Sequence, residues 1–281
     1  MEPEQLAERV WPGQDVAIEP LGGGITNRNF KVETEGRRFV LRIGGKDTDL
    51  LGIDRAAEHA ASRIAADLGL GPEVVAFVEP EGYLVTGYVD GEVGKVDVAR
   101  VGAALRLLHD GPAFPGRFDS FRVVEAYRAT AAEHGVGVPS AYDRAQELAN
   151  QIEQRRSHAP VRPCHNDLLN ANFIDDGVRL VLVDWEYAGM GDPFFDLGNF
   201  AVNHELTEES EQALLLAYGS DDADALVLMR FMSDFREAMW GIVQLAISEL
   251  DFDFAAYAEE HFERLARTAA DPRFLSALQA P

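Results

Sequence analysis

Asp167 and Asn172 stand five residues apart in the run His165-Asn166-Asp167-Leu168-Leu169-Asn170-Ala171-Asn172, and a second carboxylate, Asp184, closes the apolar stretch Val181-Leu182-Val183 twelve residues later. The polar run reads as a loop and the apolar stretch as part of a strand over 178–183, so a short hairpin returns Asp184 to the cavity that the loop side chains enter. Two carboxylates and an amide are hard oxygen donors, suited to Mg2+ rather than zinc, and a single cysteine with no histidine cluster offers no soft-ligand set. Phosphoryl transfer needs this combination: one carboxylate orients and deprotonates an acceptor hydroxyl, while the other carboxylate and the amide hold metal against phosphates. Asp167 is thus the candidate catalytic base, and Asn172 and Asp184 are the candidate Mg2+ ligands.

These residues need a scaffold, and the chain offers two kinds. Residues 4–11 read as a short helix. The alternation of Phe30 and Val32, then Phe39, Leu41 and Ile43, across Thr34-Glu35-Gly36-Arg37 predicts an antiparallel hairpin. Residues 54–68 carry apolar positions at helical spacing up to a Gly69/Gly71-Pro72 stop, and 73–77 and 83–88 read as two further strands. Asp90-Gly91 breaks the pattern, which sets an expected boundary between residues 1–89 and 90–281. Beyond it helices are expected over 96–109, 121–134, 139–157, 207–219, 221–248 and 254–268, interrupted by one hairpin within 161–187, with Asp192-Pro193 as a turn. A strand-rich first third followed by a helical remainder is an α+β arrangement. Gly22-Gly23-Gly24-Ile25-Thr26-Asn27-Arg28-Asn29 lies between the first two strands, where glycines let backbone N–H groups approach phosphate.

Composition narrows the partners. The 281-residue chain holds 48 acidic and 25 basic residues, a net charge of -23, and its only lysines are Lys31, Lys46 and Lys95. Such a surface repels phosphate backbones, so nucleic acid and anionic membranes are excluded as expected partners. Cys164 is the single cysteine, which fits a reducing compartment. The acidic N-terminal segment lacks the apolar core of a secretory signal, and no stretch is long and apolar enough to span a bilayer. A cytoplasmic protein is expected, and composition leaves the oligomeric state open.

The Asp-x4-Asn loop with His165 two residues before the aspartate, joined to a strand ending in Asp184, resembles the catalytic loop and metal-binding aspartate of the protein-kinase-like superfamily. That resemblance implies a two-lobe fold with a nucleotide-binding first lobe and ATP with Mg2+ as cofactors. It implies ATP contacts from Thr26, Asn27 and Asn29 in the glycine loop, from Arg42 held by Glu58, and from the segment Thr86-Gly87-Tyr88-Val89 beside adenine. The runs Asp184-Trp185-Glu186-Tyr187-Ala188-Gly189 and Asp192-Pro193-Phe194-Phe195-Asp196-Leu197-Gly198-Asn199, with Trp240-Gly241-Ile242-Val243-Gln244 and the segment around Tyr257, resemble the choline/ethanolamine kinase family and its bacterial relatives. The family tolerates arginine at the Arg42 position, and its pattern makes Asp196 a brace for the catalytic loop.

The family resemblance implies a small alcohol acceptor, cationic and choline-like, held by Tyr187, Trp240 and Tyr257, since aromatic faces bind a quaternary ammonium that cannot donate a hydrogen bond. The chain departs from the family twice: Glu237 stands where a tryptophan is common, and Asn203 where a glutamate is common. Both are candidate acceptor contacts, alongside Asp167. The same catalytic motifs serve kinases of aminoglycosides, thiamine and amino sugars, and a non-catalytic nucleotide-binding pseudokinase is the alternative of another class.

Overall fold

The computed structural model describes residues 2–22, 27–45 and 48–280. The first element is helix α1 (Pro3–Val10), followed by strands β1 (Ala17–Leu21), β2 (Arg28–Thr34) and β3 (Arg37–Ile43), helix α2 (Arg55–Asp67), and strands β4 (Val74–Val78) and β5 (Tyr83–Gly87). These five strands form one antiparallel sheet in the order β1-β2-β3-β5-β4. Glu35 and Gly36 both take positive φ, 49° and 73°, which gives the β2–β3 turn the twist that a two-residue hairpin requires. Strict alternation along β3 then sorts its side chains. Phe39, Leu41 and Ile43 join Leu6 and Trp11 of the α1 segment in a small core on one face, while Val40 and Arg42 line a cleft on the other.

The remainder is mainly helical. In order it holds β6 (Glu92–Val93), α3 (Val98–His109), α4 (Ser120–Glu133), α5 (Ala141–Arg155), β7 (Arg162–Cys164), β8 (Phe173–Asp175), β9 (Leu180–Leu182), β10 (Gly189–Gly191), α6 (Pro193–Asn203), α7 (Glu208–Tyr218), α8 (Ala223–Ile247), α9 (Phe254–Ala269) and α10 (Pro272–Gln279). Helix α8 runs through the middle of the larger core, packed on α4, α6 and α9. Two small sheets frame the polar loop: β7 pairs with β10, and the β8–β9 hairpin pairs with β6. The loop therefore leaves one paired strand and enters another, and the Asp184–Ala188 segment does the same beside it.

This is the two-lobe, kinase-like α+β architecture that the sequence predicts, with three local differences. Asp192-Pro193 is not a bare turn: the Asp192 carboxylate accepts from Phe194 N at 2.9 Å and Pro193 opens α6. Helix α6 is buried from Pro193 to Val202, so it turns no face to solvent and its few polar residues point into the protein. Helix α10 was likewise not expected, and β9 begins at Leu180 because Val178 is turned out to solvent. No helix among the described residues is long and apolar enough to cross a membrane.

Candidate active site

The 165–172 loop is held from below by one face of α6. Asp196 is fully buried, and its carboxylate accepts from His165 N at 2.8 Å, Asn166 N at 2.7 Å and His109 Nε2 at 3.0 Å. One turn on, Asn199 Oδ1 accepts from Leu168 N while its Nδ2 donates to Ser233 Oγ at 2.9 Å. Another turn on, Asn203 Nδ2 reaches Leu168 O at 3.5 Å. Spacing of i, i+3, i+7 puts all three on one side of the helix, so they read the loop backbone in sequence order. Asn203 also lines a cleft with Lys95 and His204. Replacing Asp196 with Ala strands three buried N–H groups, and a loss of about 3–5 kcal/mol is expected. Urea unfolding tests this, and a loss below about 1 kcal/mol would show the loop does not depend on the brace.

His165 shows why the brace matters. Its ring is completely buried against Trp185, with centroids 4.5 Å apart. Nε2 lies 3.0 Å from Val183 O and Nδ1 accepts from Asp167 N at 3.3 Å, a pattern only the neutral Nε2–H tautomer satisfies. Burial lowers its pKa to about 4, outweighing the pull of Asp196 in the other direction. A histidine with a depressed folded pKa binds its proton more readily when unfolded. Stability from this site is therefore full above about pH 6.5 and is lost as pH falls toward 4, on the order of 3 kcal/mol in all. NMR titration of the ring, read beside unfolding free energies at pH 7 and 4.5, checks this; a ring titrating near pH 6.5 would contradict it.

Asn166 and Asp184 both adopt φ of 67°, a left-handed conformation uncommon outside glycine. Such outliers persist where the surroundings over-determine them: Asn166 Nδ2 donates to Tyr187 O at 2.9 Å, and Asp184 pairs with Arg42. Asp167 is 8% exposed. Asn172 Nδ2 donates to its main-chain oxygen at 2.8 Å and to its Oδ2 at 3.3 Å, which turns the Asn172 amide oxygen away from Asp167. Arg236 Nη2 donates to Asp167 Oδ1 at 3.1 Å and to Asn166 O at 2.6 Å. Burial pushes the Asp167 carboxyl up to about 7, with Arg236 pulling down and Glu237 and Asp184 adding to the rise.

Asn172 and Asp184 line one wall of a cleft of about 280 Å3 between the sheet and the loop, and Asn29, Arg42, Thr86, Tyr88 and Val89 line it from the other side. Arg42 pairs with both Glu58 and Asp184. Glu58 is held in turn by Arg55 at 2.7 Å, on the first turn of α2, whose Asp54 cap fixes where that helix starts. Glu186, equally buried, binds Arg55 at 3.0 Å and accepts from Asn27 Nδ2. The structure thus brings together all the expected nucleotide contacts it describes; Thr26 lies outside the described residues. The oxygens of Glu58, Asp184 and Glu186 lie within 4.8 Å of one another, and Asn172 lines the same cleft as Asp184; a carboxylate and an amide oxygen there are hard donors that fit Mg2+.

A second group gathers on the far side of Asp167. Tyr257 OH donates to Glu237 Oε2 at 2.7 Å, and the Tyr257 ring meets Trp240 edge-on with centroids 5.5 Å apart. Arg236 Nη1 donates to Glu237 Oε1 at 2.7 Å, and the guanidinium sits 4.8 Å over the Tyr187 ring. Sequence reasoning found Tyr187, Glu237, Trp240 and Tyr257 but missed Arg236, Arg55 and Glu186. Glu186 lies inside a motif whose other residues carry the signal, whereas Arg236 gives no local signal for its contact with the 165–172 loop, since its partners there lie about 70 residues away in the chain.

Known proteins share this plan. Residues 17–232 match the family model described as "Phosphotransferase enzyme family". A crystal structure of a choline/ethanolamine kinase family protein from Mesorhizobium loti superposes with a TM-score of 0.84 at 32% identity, covering 98% of this chain and 97% of that one. Protein LicA of Haemophilus influenzae is 28% identical over 207 residues, 70% of this chain, and the match spans 61% of that protein's length. A thiamine kinase of Escherichia coli O157:H7 is 29% identical over 215 residues, covering 74% of this chain and 73% of that protein. The chain belongs to the phosphotransferase enzyme family.

Proposed function

We propose that this protein is a small-molecule kinase that moves the γ-phosphoryl group of Mg-ATP to a hydroxyl of a small, choline-like cationic acceptor. The observation that carries the reading is the meeting of Asp167 with Asn172, which lines the same cleft as Asp184 and Arg42. In it, residues 1–89 form the nucleotide lobe and residues 90–281 the catalytic and acceptor lobe. Thr86, Tyr88 and Val89 border the adenine, Asn27 and Asn29 sit by the phosphates, and Arg42, held by Glu58, contacts the α and β phosphates.

Asn172 and Asp184 would hold Mg2+, which when bound neutralises charge developing on the phosphates. Asp167 accepts the acceptor hydroxyl's proton and aims its oxygen at the γ-phosphorus. A carboxylate with a pKa near neutrality suits that task better than a strongly acidic one. Trp240 and Tyr257 supply aromatic faces for the acceptor's ammonium, each contributing on the order of 0.5–2 kcal/mol.

The test is ADP release from Mg-ATP over choline, ethanolamine, thiamine, an amino sugar and an aminoglycoside. Turnover of the amino alcohols supports the reading. Turnover of thiamine or an aminoglycoside alone would keep the kinase and remove the choline-like acceptor.

A further inference from the structure

The acceptor side of the site already contains a cation. Arg236 is 2% exposed and sits among Asp167, Tyr187 and Glu237, three of the residues expected at the acceptor. It pairs with Glu237, touches Asp167 and covers the Tyr187 ring. The other Glu237 oxygen accepts from Tyr257 OH, so both oxygens of that carboxylate are engaged within the protein. Glu237 therefore does not stand free as an anion for a substrate cation; Arg236 balances it. Of the aromatic groups, the Trp240–Tyr257 pair carries no such cation among the described contacts.

Arg236 is also incompletely satisfied. Its Nη atoms donate to Glu237, Asn166 O and Asp167, but its Nε–H is buried with no acceptor. Buried arginine donors are rarely left unmade, because the group lost water to get there. A quaternary ammonium or a simple alcohol headgroup offers no strong acceptor for it, whereas a carboxylate does, with the short charge-assisted geometry that guanidinium favours. Since one guanidinium would touch both that carboxylate and the base, the carboxylate must lie only a few bonds from the reacting hydroxyl.

We propose, resting on the kinase reading above, that the acceptor is a small zwitterion carrying hydroxyl, ammonium and carboxylate on one short skeleton, and that Arg236 is the specificity-determining residue that binds the carboxylate. The ammonium faces Trp240 and Tyr257, and the hydroxyl faces Asp167. The class is that of short hydroxy amino acids and their N-methylated forms.

Two matched pairs test this: ethanolamine against serine, and choline against N,N,N-trimethylserine. Each pair differs by one carboxylate, and kcat/KM is measured for all four. The carboxylated member is expected to lead its partner by at least about tenfold, the loss typical of one unmade charged contact. In Arg236→Met that ratio falls to about one, mainly through KM of the carboxylated member, and in Arg236→Lys it is intermediate. Slowing caused by the lost Asp167 contact affects both members of a pair and cancels in the ratio. Arg236→Lys keeps the test open if the Met variant does not fold. A wild-type ratio of one or below, or a ratio unchanged in the variants, overturns the proposal. Turnover of ethanolamine or choline without their carboxylated partners overturns it while leaving the kinase reading intact. Absence of Asp167-dependent ADP release with these four and with the earlier panel removes both.

Discussion

Asp167→Asn is expected to lower kcat by about 10²–10⁴ while leaving ATP affinity and thermal stability close to wild type, the loss typical of a general base. The separation follows from the contacts. Asp167 sits outside the residues that line the nucleotide cleft, so binding of ATP does not depend on its charge. An asparagine oxygen can still accept from Arg236, and the stronger of the two Asn172 contacts goes to the main-chain oxygen of residue 167, which the substitution keeps. What disappears is the capacity to take a proton. Turnover, ATP binding and melting temperature measured on one preparation decide the matter. Turnover within about tenfold of wild type, in a folded and ATP-binding variant, would show that Asp167 is not the base.

Asp184→Ala is expected to abolish the gain in ATP affinity that Mg2+ brings and to reduce kcat/KM by at least about 10², several kcal/mol of lost charge stabilisation. Asp184 contributes one of the two side chains assigned to the metal, and it also pairs with Arg42. Because its φ of 67° disfavours alanine, Asp184→Asn is the companion variant, since asparagine tolerates that conformation. Titrations of ATP with and without Mg2+ give the readout. A metal-dependent gain that survives in both variants would remove Asp184 from the metal site.

The sequence was most legible where a local pattern carried the information. Alternation along β2 and β3, with a turn whose Glu-Gly pair takes positive φ, was enough to place the hairpin and to aim Arg42 away from the small core. The Asn172 and Asp184 spacing set two donors in one cleft, with Asp167 beside Asn172, because a short hairpin, β8–β9, lies between the loop and Asp184. Helix α6 was hidden by its own burial: with no face turned to solvent, its polar side, Asp196, Asn199 and Asn203, faces the 165–172 loop instead of water. Asn203, expected at the acceptor, also braces Leu168 O, a contact set by one more turn of that same helix. Arg236 was invisible for a different reason. Its neighbours Glu237 and Trp240 carried a family pattern, but the pairing of an arginine on α8 with the 165–172 loop is a tertiary fact.

Transfer of a phosphoryl group from ATP to an acceptor hydroxyl by way of Asp167 is tested most directly by phosphorus NMR of the protein with Mg-ATP and the amino alcohols and their carboxylated partners, since it separates phosphate esters from free phosphate. The expected result is a phosphomonoester resonance that grows in step with ADP in the wild type and is nearly absent with Asp167→Asn. ADP accompanied only by free phosphate, or an ester formed equally fast by the variant, would contradict it.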